Sequence, residues 1–265
     1  MKNLCGILLG ICFTIAGTNA VDYCSVTICP SKNHVACNNT GTFSSSCPPV
    51  HNVVAMTNEL KALLLQQHNN ARMDIANGKV AGFFQADRMI EMSWDDELAS
   101  FAEMNVKTCK MQHDKCMNTA VFKFAGQNLG LKYYTNPTSQ NITSDVSAIF
   151  SRWFNEYVNC NMTQIDKLSS IKTADGKTFG HFTQVVMANS GKLGCAVSSY
   201  GDTSYRSGLL ACNYAQTNMI TWPVYTTGVP CSGCKSGCSA AYPGLCNTKF
   251  LENVYSKIGP GLYLC

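Results

Sequence analysis

The chain has 265 residues, of which 46% are hydrophobic and only 14% charged, with a formal net charge of +4. No basic run is dense enough to make a nucleic-acid surface, and no apolar stretch beyond the first twenty residues is long enough to span a bilayer. A chain of this length can bury one sizeable hydrophobic core, so its 16 cysteines reinforce a core and do not stand in for one.

Residues 1–20, MKNLCGILLGICFTIAGTNA, place Lys2 before an apolar run from Leu4 to Ala16 and then small or polar residues up to Ala20. This is the pattern of a secretory signal peptide cleaved after Ala20, and the run is too short for a membrane anchor. Cys5 and Cys12 fall inside it, leaving 14 of the 16 cysteines. An even number in an exported chain implies disulfides, up to seven. Sequons at Asn38, Asn141 and Asn161 mark surface positions for glycans. The expected product is secreted and extracellular.

Residues 21–57 are short of long apolar residues and rich in Cys, Asn, Ser and Pro. They read as a loop-rich extension tied by Cys24, Cys29, Cys37 and Cys47 to itself or to the main domain. The main domain, 58–225, opens with a helix over Asn58–Ala76, with Thr57 as its N-cap and Gly78 as its stop. Leu60, Leu63, Leu64, Ala71 and Ile75 make its apolar face. A second helix begins in SWDDELASFAEMNVKTC, where Ser93 and Asp96 resemble a capping box and Leu98, Phe101, Ala102 and Val106 form the buried stripe. A third, SDVSAIFSRWFNEYVNC, is capped near Thr143 or Ser144 and buries Val146, Ile149, Phe150, Trp153 and Tyr157. Glu156 lies at the border of that stripe, and on the residues alone it reads as a solvated glutamate.

Strands come late. GHFTQVVMANS, residues 180–190, alternates like a strand that opens with His181, either a working residue or a hydrogen-bonded piece of scaffold. KLGCAVSSY and SGLLACNYA flank the polar turn GDTSYR. Pairing Tyr200 with Ser207 sets Cys195 directly opposite Cys212, close enough for a cross-strand disulfide. Three such strands make a meander, and helices preceding strands predict an α+β fold with helices on an antiparallel sheet. The tail, 226–265, carries Cys231, Cys234, Cys238, Cys246 and Cys265. In an exported chain its CxxC reads as disulfide-forming and not as a zinc site.

GHFTQVVMANSGKLGCAV and LLACNYAQTNM resemble the two signature segments of the CAP superfamily, the group of cysteine-rich secretory, antigen 5 and pathogenesis-related proteins. QQHNNAR, WDDELASFAEMNVKTCKMQHDKC, FAGQNLG and the RWFNEY helix match in the same order. The N-terminal YCSVTICPSKNHVACNN…SSCP pattern is similar to the insect antigen 5, or venom allergen-like, branch. The resemblance covers nearly all of residues 22–250. It implies a three-layer α-β-α sandwich with a central cleft holding two histidines and two acids, which in some members bind a divalent metal, often zinc. On this chain the implied metal ligands are His113, Glu156 and His181. The second acid position falls on Gln127, which as an amide is neither a general base nor a good zinc ligand. Met187 stands where the family usually has tryptophan.

The resemblance also implies the disulfides Cys24–Cys37, Cys29–Cys116, Cys47–Cys109, Cys195–Cys212 and Cys234–Cys246. It leaves Cys160, Cys231, Cys238 and Cys265 unassigned.

Three functions are in play. A binder of small hydrophobic ligands (sterol, fatty acid or eicosanoid) would use apolar channels between helices, where Leu60, Leu63, Leu64, Val146, Ile149, Phe150 and Trp153 lie. A protein-interaction module of venom, saliva or haemolymph would act on haemostasis or immunity, without an RGD loop, since none is present. A metal-dependent hydrolase ranks last, because no activated nucleophile and no HExxH motif is visible. The expectation is a non-enzymatic protein with no catalytic residue.

Overall fold

The computed structural model describes residues 21–30 and 33–248; the expected signal peptide, residues 1–20, and Cys265 lie outside them. Helix α1 spans Asn58–Ala76, and the Thr57 side chain accepts from the Leu60 amide as its N-cap. Gly78, at φ 68°, turns the chain away at its end. Helix α2 spans Asp96–Val106, capped by Asp95 and not by the Ser93–Asp96 box. Ser93 and Trp94 instead form β2 (Ser93–Trp94), which pairs in parallel with β4 (Lys192–Gly201). That pairing draws Ser93 into the sheet and passes the cap to Asp95. Helix α3 spans Ile142–Asn155 and continues as a 3-10 turn over Glu156–Asn159. Its cap is Asn141, one turn earlier in effect than Thr143 or Ser144, because the Asn141 side chain accepts from the Ser144 amide.

The sheet order is β1-β4-β5-β3, with β2 also on β4. Here β1 is Val50–Val53, β3 is Gly126–Tyr134 and β5 is Arg206–Tyr214. All pairings except β2–β4 are antiparallel. The β4–β5 hairpin has the expected register: Tyr200 faces Ser207, and Cys195 faces Cys212 in a formed disulfide. The segment read as a loop-rich extension contributes β1, so it adds a strand as well as cross-links.

The third strand beside the hairpin is β3. Residues 180–190 are not a strand: Gly180–Val185 form helix α5. Gly180, Phe182, Thr183, Gln184 and Val185 are all buried, and only His181 looks outward. A six-residue helix buried on nearly every side has no polar face, so its periodicity cannot be told from that of a strand. A short helix α4, Met162–Asp166, lies between α3 and α5.

Helices α1, α3 and α5 cover one face of the sheet around the main core, which includes Leu64, Ile75, Val146, Ile149, Phe182, Val197, Leu210 and Tyr214. Helix α2 covers the other face over Ala196, Tyr200, Leu209 and Ala211. The result is a three-layer α-β-α sandwich. Two glycines set the layer spacing. A Cβ on Gly194 would overlap the Ala99 backbone of α2, and one on Gly130 would overlap Ile149 of α3.

Three polar residues of QQHNNAR are buried and join the layers. Asn69 exchanges two hydrogen bonds with the backbone of Met92. His68 donates from Nδ1 to the Leu64 carbonyl and accepts at Nε2 from the Tyr214 hydroxyl. Arg72, fully buried, donates to the carbonyls of Ile90, Val185, Met187 and Ala188 through five hydrogen bonds.

Replacing Arg72 by Met leaves four buried carbonyls short of donors. Chemical denaturation is expected to show a loss on the order of 4 kcal/mol or more. A second expectation concerns acid. Burial pushes the His68 imidazole down to about 4, with the Leu64 carbonyl opposing and Arg72 adding to the fall. Its unfolded value is about 6.5, so protons bind the unfolded chain first and stability falls as pH drops from about 6.5 to about 4. Urea denaturation should show this group costing about 2 kcal/mol between pH 7 and pH 5, a slope that His68→Gln removes.

Candidate functional site: two histidines at the end of an edge strand

The N-terminal end of β3 carries Gln127 and Asn128, whose side chains leave opposite faces of the sheet. Each reaches one histidine. On one side, the Gln127 Oε1 accepts from the backbone amide of Asp114 at 3.1 Å and lies 3.0 Å from His113 Nδ1. Its Nε2 donates to Asp114 Oδ2 at 2.7 Å and to Asn213 Oδ1 at 3.0 Å. The Asp114 amide can only donate, which fixes the orientation of the Gln127 amide. His113 Nδ1 must therefore carry its proton, and Nε2 keeps a lone pair.

On the other side, Asn128 Nδ2 donates to the His181 carbonyl and to the Tyr214 hydroxyl, the same hydroxyl that meets His68. His181 opens α5, stacks on Trp153 at 6.0 Å between ring centroids and places Nδ1 2.6 Å from Glu156 Oε1. The other Glu156 oxygen accepts from the amides of His181 and Phe182, at 2.9 and 3.4 Å. Helix α5 lacks a side-chain cap of its own at Phe179, so Glu156 caps it from α3's trailing turn, with its charge at the favourable end of the helix. The His181 and Glu156 side chains are 24% and 13% exposed. With a carboxylate on Nδ1, His181 also presents an unprotonated Nε2.

Glu156 is thus not a solvated glutamate. The three expected ligands His113, Glu156 and His181 do not come together as one group: among the described residues no cluster of three or more His, Cys, Asp or Glu side chains could hold a metal ion. The physical reason is that both Glu156 oxygens are committed to His181 and the start of α5, while His113 is exposed on the loop after α2.

Asp114 is the residue that sequence reasoning passed over. It follows His113 directly, within the KMQHDKC motif, and burial raises its carboxyl above the usual range against the pull of hydrogen bonds from Asn105 and Gln127 and the charge of His113. The acid missing at Gln127 is therefore one amide away. Met187 is buried, and its carbonyl accepts from Arg72. The sequon residues Asn38, Asn141 and Asn161 are all exposed. Asn141 and Asn161 cap α3 and α4 through Oδ1, which leaves the nitrogen that glycosylation uses.

The expected disulfides Cys24–Cys37, Cys29–Cys116, Cys47–Cys109, Cys195–Cys212 and Cys234–Cys246 are all formed, and Cys231 pairs with Cys238. The CxxC of the tail is thus divided between two disulfides. Cys29–Cys116 and Cys47–Cys109 bracket His113 and staple its loop to the extension.

Sandwich, cross-linked extension and paired histidines at an edge strand define a disulfide-rich α-β-α protein of the cysteine-rich secretory class. The family model described as "CAP: Cysteine-rich secretory protein family" matches residues 65–214, and the chain belongs to this family. It is 40% identical over 252 residues to "Venom allergen-1" of Aedes aegypti, covering 95% of this chain and 93% of that one. It is 35% identical over 215 residues to "Antigen 5 like allergen Cul n 1" of Culicoides nubeculosus, covering 77% and 94%. The solved structure described as NaASP2 with Zn2+ shares the fold at TM-score 0.58 and 24% identity, covering 76% of this chain and all of that one.

Gln127→Glu would set a second carboxylate against Asp114 Oδ2 and Asn213 Oδ1, acceptor facing acceptor. The expected result is a loss on the order of 2 kcal/mol at pH 7, recovered by adding Asp114→Asn. Denaturation of the single and double variants measures it.

Proposed function

We propose that this is a secreted, extracellular, non-enzymatic binding protein. In this reading His113 and His181 hold a divalent cation through Nε2, with water completing the coordination. The supporting observation is the pair of assigned tautomers: each Nδ1 proton is engaged, by Gln127 Oε1 and by Glu156 Oε1. An imidazole whose Nδ1 donates to an oxygen acceptor is oriented and made more basic for a metal at Nε2. The donor set therefore fits zinc, or another cation that accepts imidazole, with Glu156 and Gln127 as orienting groups and not as ligands. Such an ion would supply a fixed positive charge and a point of attachment for an anionic group.

A small hydrophobic ligand is the second half of this reading. The helix faces around Leu60, Leu64, Val146, Ile149, Phe150 and Trp153 pack together in one core, so they are not the walls of a channel. A groove of about 290 Å³ does open between β1, the segment before α1, α2 and β4, lined by Val54, Met56, Trp94, Ala99 and Ala196 with Lys61 among its walls. That volume is at the low end for ligand sites and suits a slender acyl chain with its carboxylate near Lys61 better than a sterol. Against hydrolysis stands the chemistry of the histidines, whose side-chain partners are an amide and a carboxylate and not a hydroxyl or thiol nucleophile. The named likeness to venom allergens supports an extracellular setting, and the interaction-module reading remains the alternative if neither ligand is found.

Native mass spectrometry of the secreted protein tests both parts. One zinc ion should be retained by the folded protein and lost in His113→Ala and in His181→Ala; uptake unchanged in both variants would refute the site. A co-purifying or added fatty acid should leave on denaturation and fail to bind Ala99→Phe, which fills the groove. Equal binding to that variant would remove the groove from the proposal.

A further inference from the structure

Twelve of the thirteen cysteines among the described residues are paired, and Cys160 is the one left. It lies half-buried between the 3-10 turn and α4, and its neighbourhood is apolar. Met162 Sδ accepts from the amide of Phe84 and from the Tyr225 hydroxyl, which also donates to the Phe84 carbonyl. Cys160 is close enough to Tyr225 for its charge to be felt there. Around this cluster Phe84 is 67% exposed and Val158 70% exposed. A thiol and a set of large apolar side chains thus share one uncovered face. Burial pushes the Cys160 thiol up to about 12, so in the folded state it is a poor nucleophile and not a redox sensor.

The chain supplies a matching segment. In residues 249–265, KFLENVYSKIGPGLYLC, the apolar residues Phe250, Leu251, Val254, Tyr255 and Ile258 fall at the spacing of one helical stripe, and Glu252, Asn253, Ser256 and Lys257 fill the positions between. After Gly259-Pro260-Gly261 the sequence closes with Leu262, Tyr263, Leu264 and Cys265. The segment starts from the right place. Cys246 donates its amide to the Met89 carbonyl, and Met89 is five residues along the chain from Phe84, at most about 19 Å away. The eighteen steps from Asn247 to Cys265 can extend about 60 Å, so reach is no obstacle.

We propose that residues 249–265 dock on the face formed by Phe84, Val158 and Met162 and are held there by a Cys160–Cys265 disulfide. Formation of the bond removes one hydrogen from each thiol. The two electrons and two protons pass to an oxidised dithiol or glutathione-type disulfide, which is reduced to two thiols. Six other disulfides in this chain need the same oxidant. The high Cys160 pKa places the exchange before this face is packed, during folding.

Peptide mapping of the full-length secreted protein, alkylated and digested without reduction, tests the bond. The expected product joins the Cys160 and Cys265 peptides and is lighter than their sum by two hydrogens, with no alkylated Cys160 in the monomer. Alkylated Cys160, Cys160 capped by a small thiol, or a reducible dimer linked through Cys160 would each overturn the proposal. Full-length Cys265→Ser tests docking separately. Amide exchange at Phe84 and across 160–166 should rise at least several-fold while α1 and the β4–β5 hairpin are unchanged. Unchanged exchange at Phe84 and 160–166 would refute the docked face even if the cross-link were found.

Discussion

Helix α5 is six residues long, too short to persist alone in water. It exists because opposite charges from two other helices hold its two ends. Glu156, trailing from α3, takes the first free amides, and Arg72, projecting from α1, takes the carbonyls of Val185, Met187 and Ala188 at the last turn. Both charges match the sense of the helix dipole. Because Arg72 also binds Ile90, the same guanidinium fixes the segment that leads into β2. The layers around the main core are therefore registered by a fully buried cation whose donors must all be met at once. That requirement makes the arrangement specific in a way that apolar packing by itself is not.

His181 inherits its position from this clamp. Its ring is set between Trp153 and Glu156, and its carbonyl is tied to Asn128, so it is as fixed as the core. His113 is held differently. It rides on an exposed loop, steadied by Gln127 and Asp114 and by the two disulfides on either side. One imidazole is placed by packing and the other by covalent staples, and β3 is the element that touches both. Asn128 extends this order inward, through Tyr214 to His68, so the buried imidazole of α1 and the cleft imidazole of α5 share one chain of hydrogen bonds.

Much of the frame was readable from residues alone. The hairpin register followed from two independent constraints, turn length and cysteine placement, which agree at Tyr200–Ser207 and Cys195–Cys212. The α1 boundaries followed from Thr57 and Gly78, and the stripes of α2 and α3 from their 3.6-residue spacing. What escaped was decided by distant partners. Residues 180–185 alternate like a strand, and only Glu156 and Arg72, neither adjacent in sequence, make them a helix. Glu156 looked solvated because its partners are 25 and 26 residues away. Ser93 gave up its expected capping role to a strand pair with Lys192. The disulfides of the extension and the joining of Gln127 to His113 came from family resemblance, since no spacing rule links them. Asp114 was visible beside His113, but its importance rests on a burial that composition does not reveal.

The bracketing of the His113 loop has a further consequence for a protein exposed to foreign proteases. Cys109 and Cys116 anchor both ends of the intervening exposed stretch to the N-terminal extension. A single cut between them releases no fragment. The two new termini stay tethered close to their original places, and the nicked molecule keeps its mass until it is reduced. Damage at the most accessible part of the cleft would then be silent to size-based detection, and its first sign would be a loosened histidine.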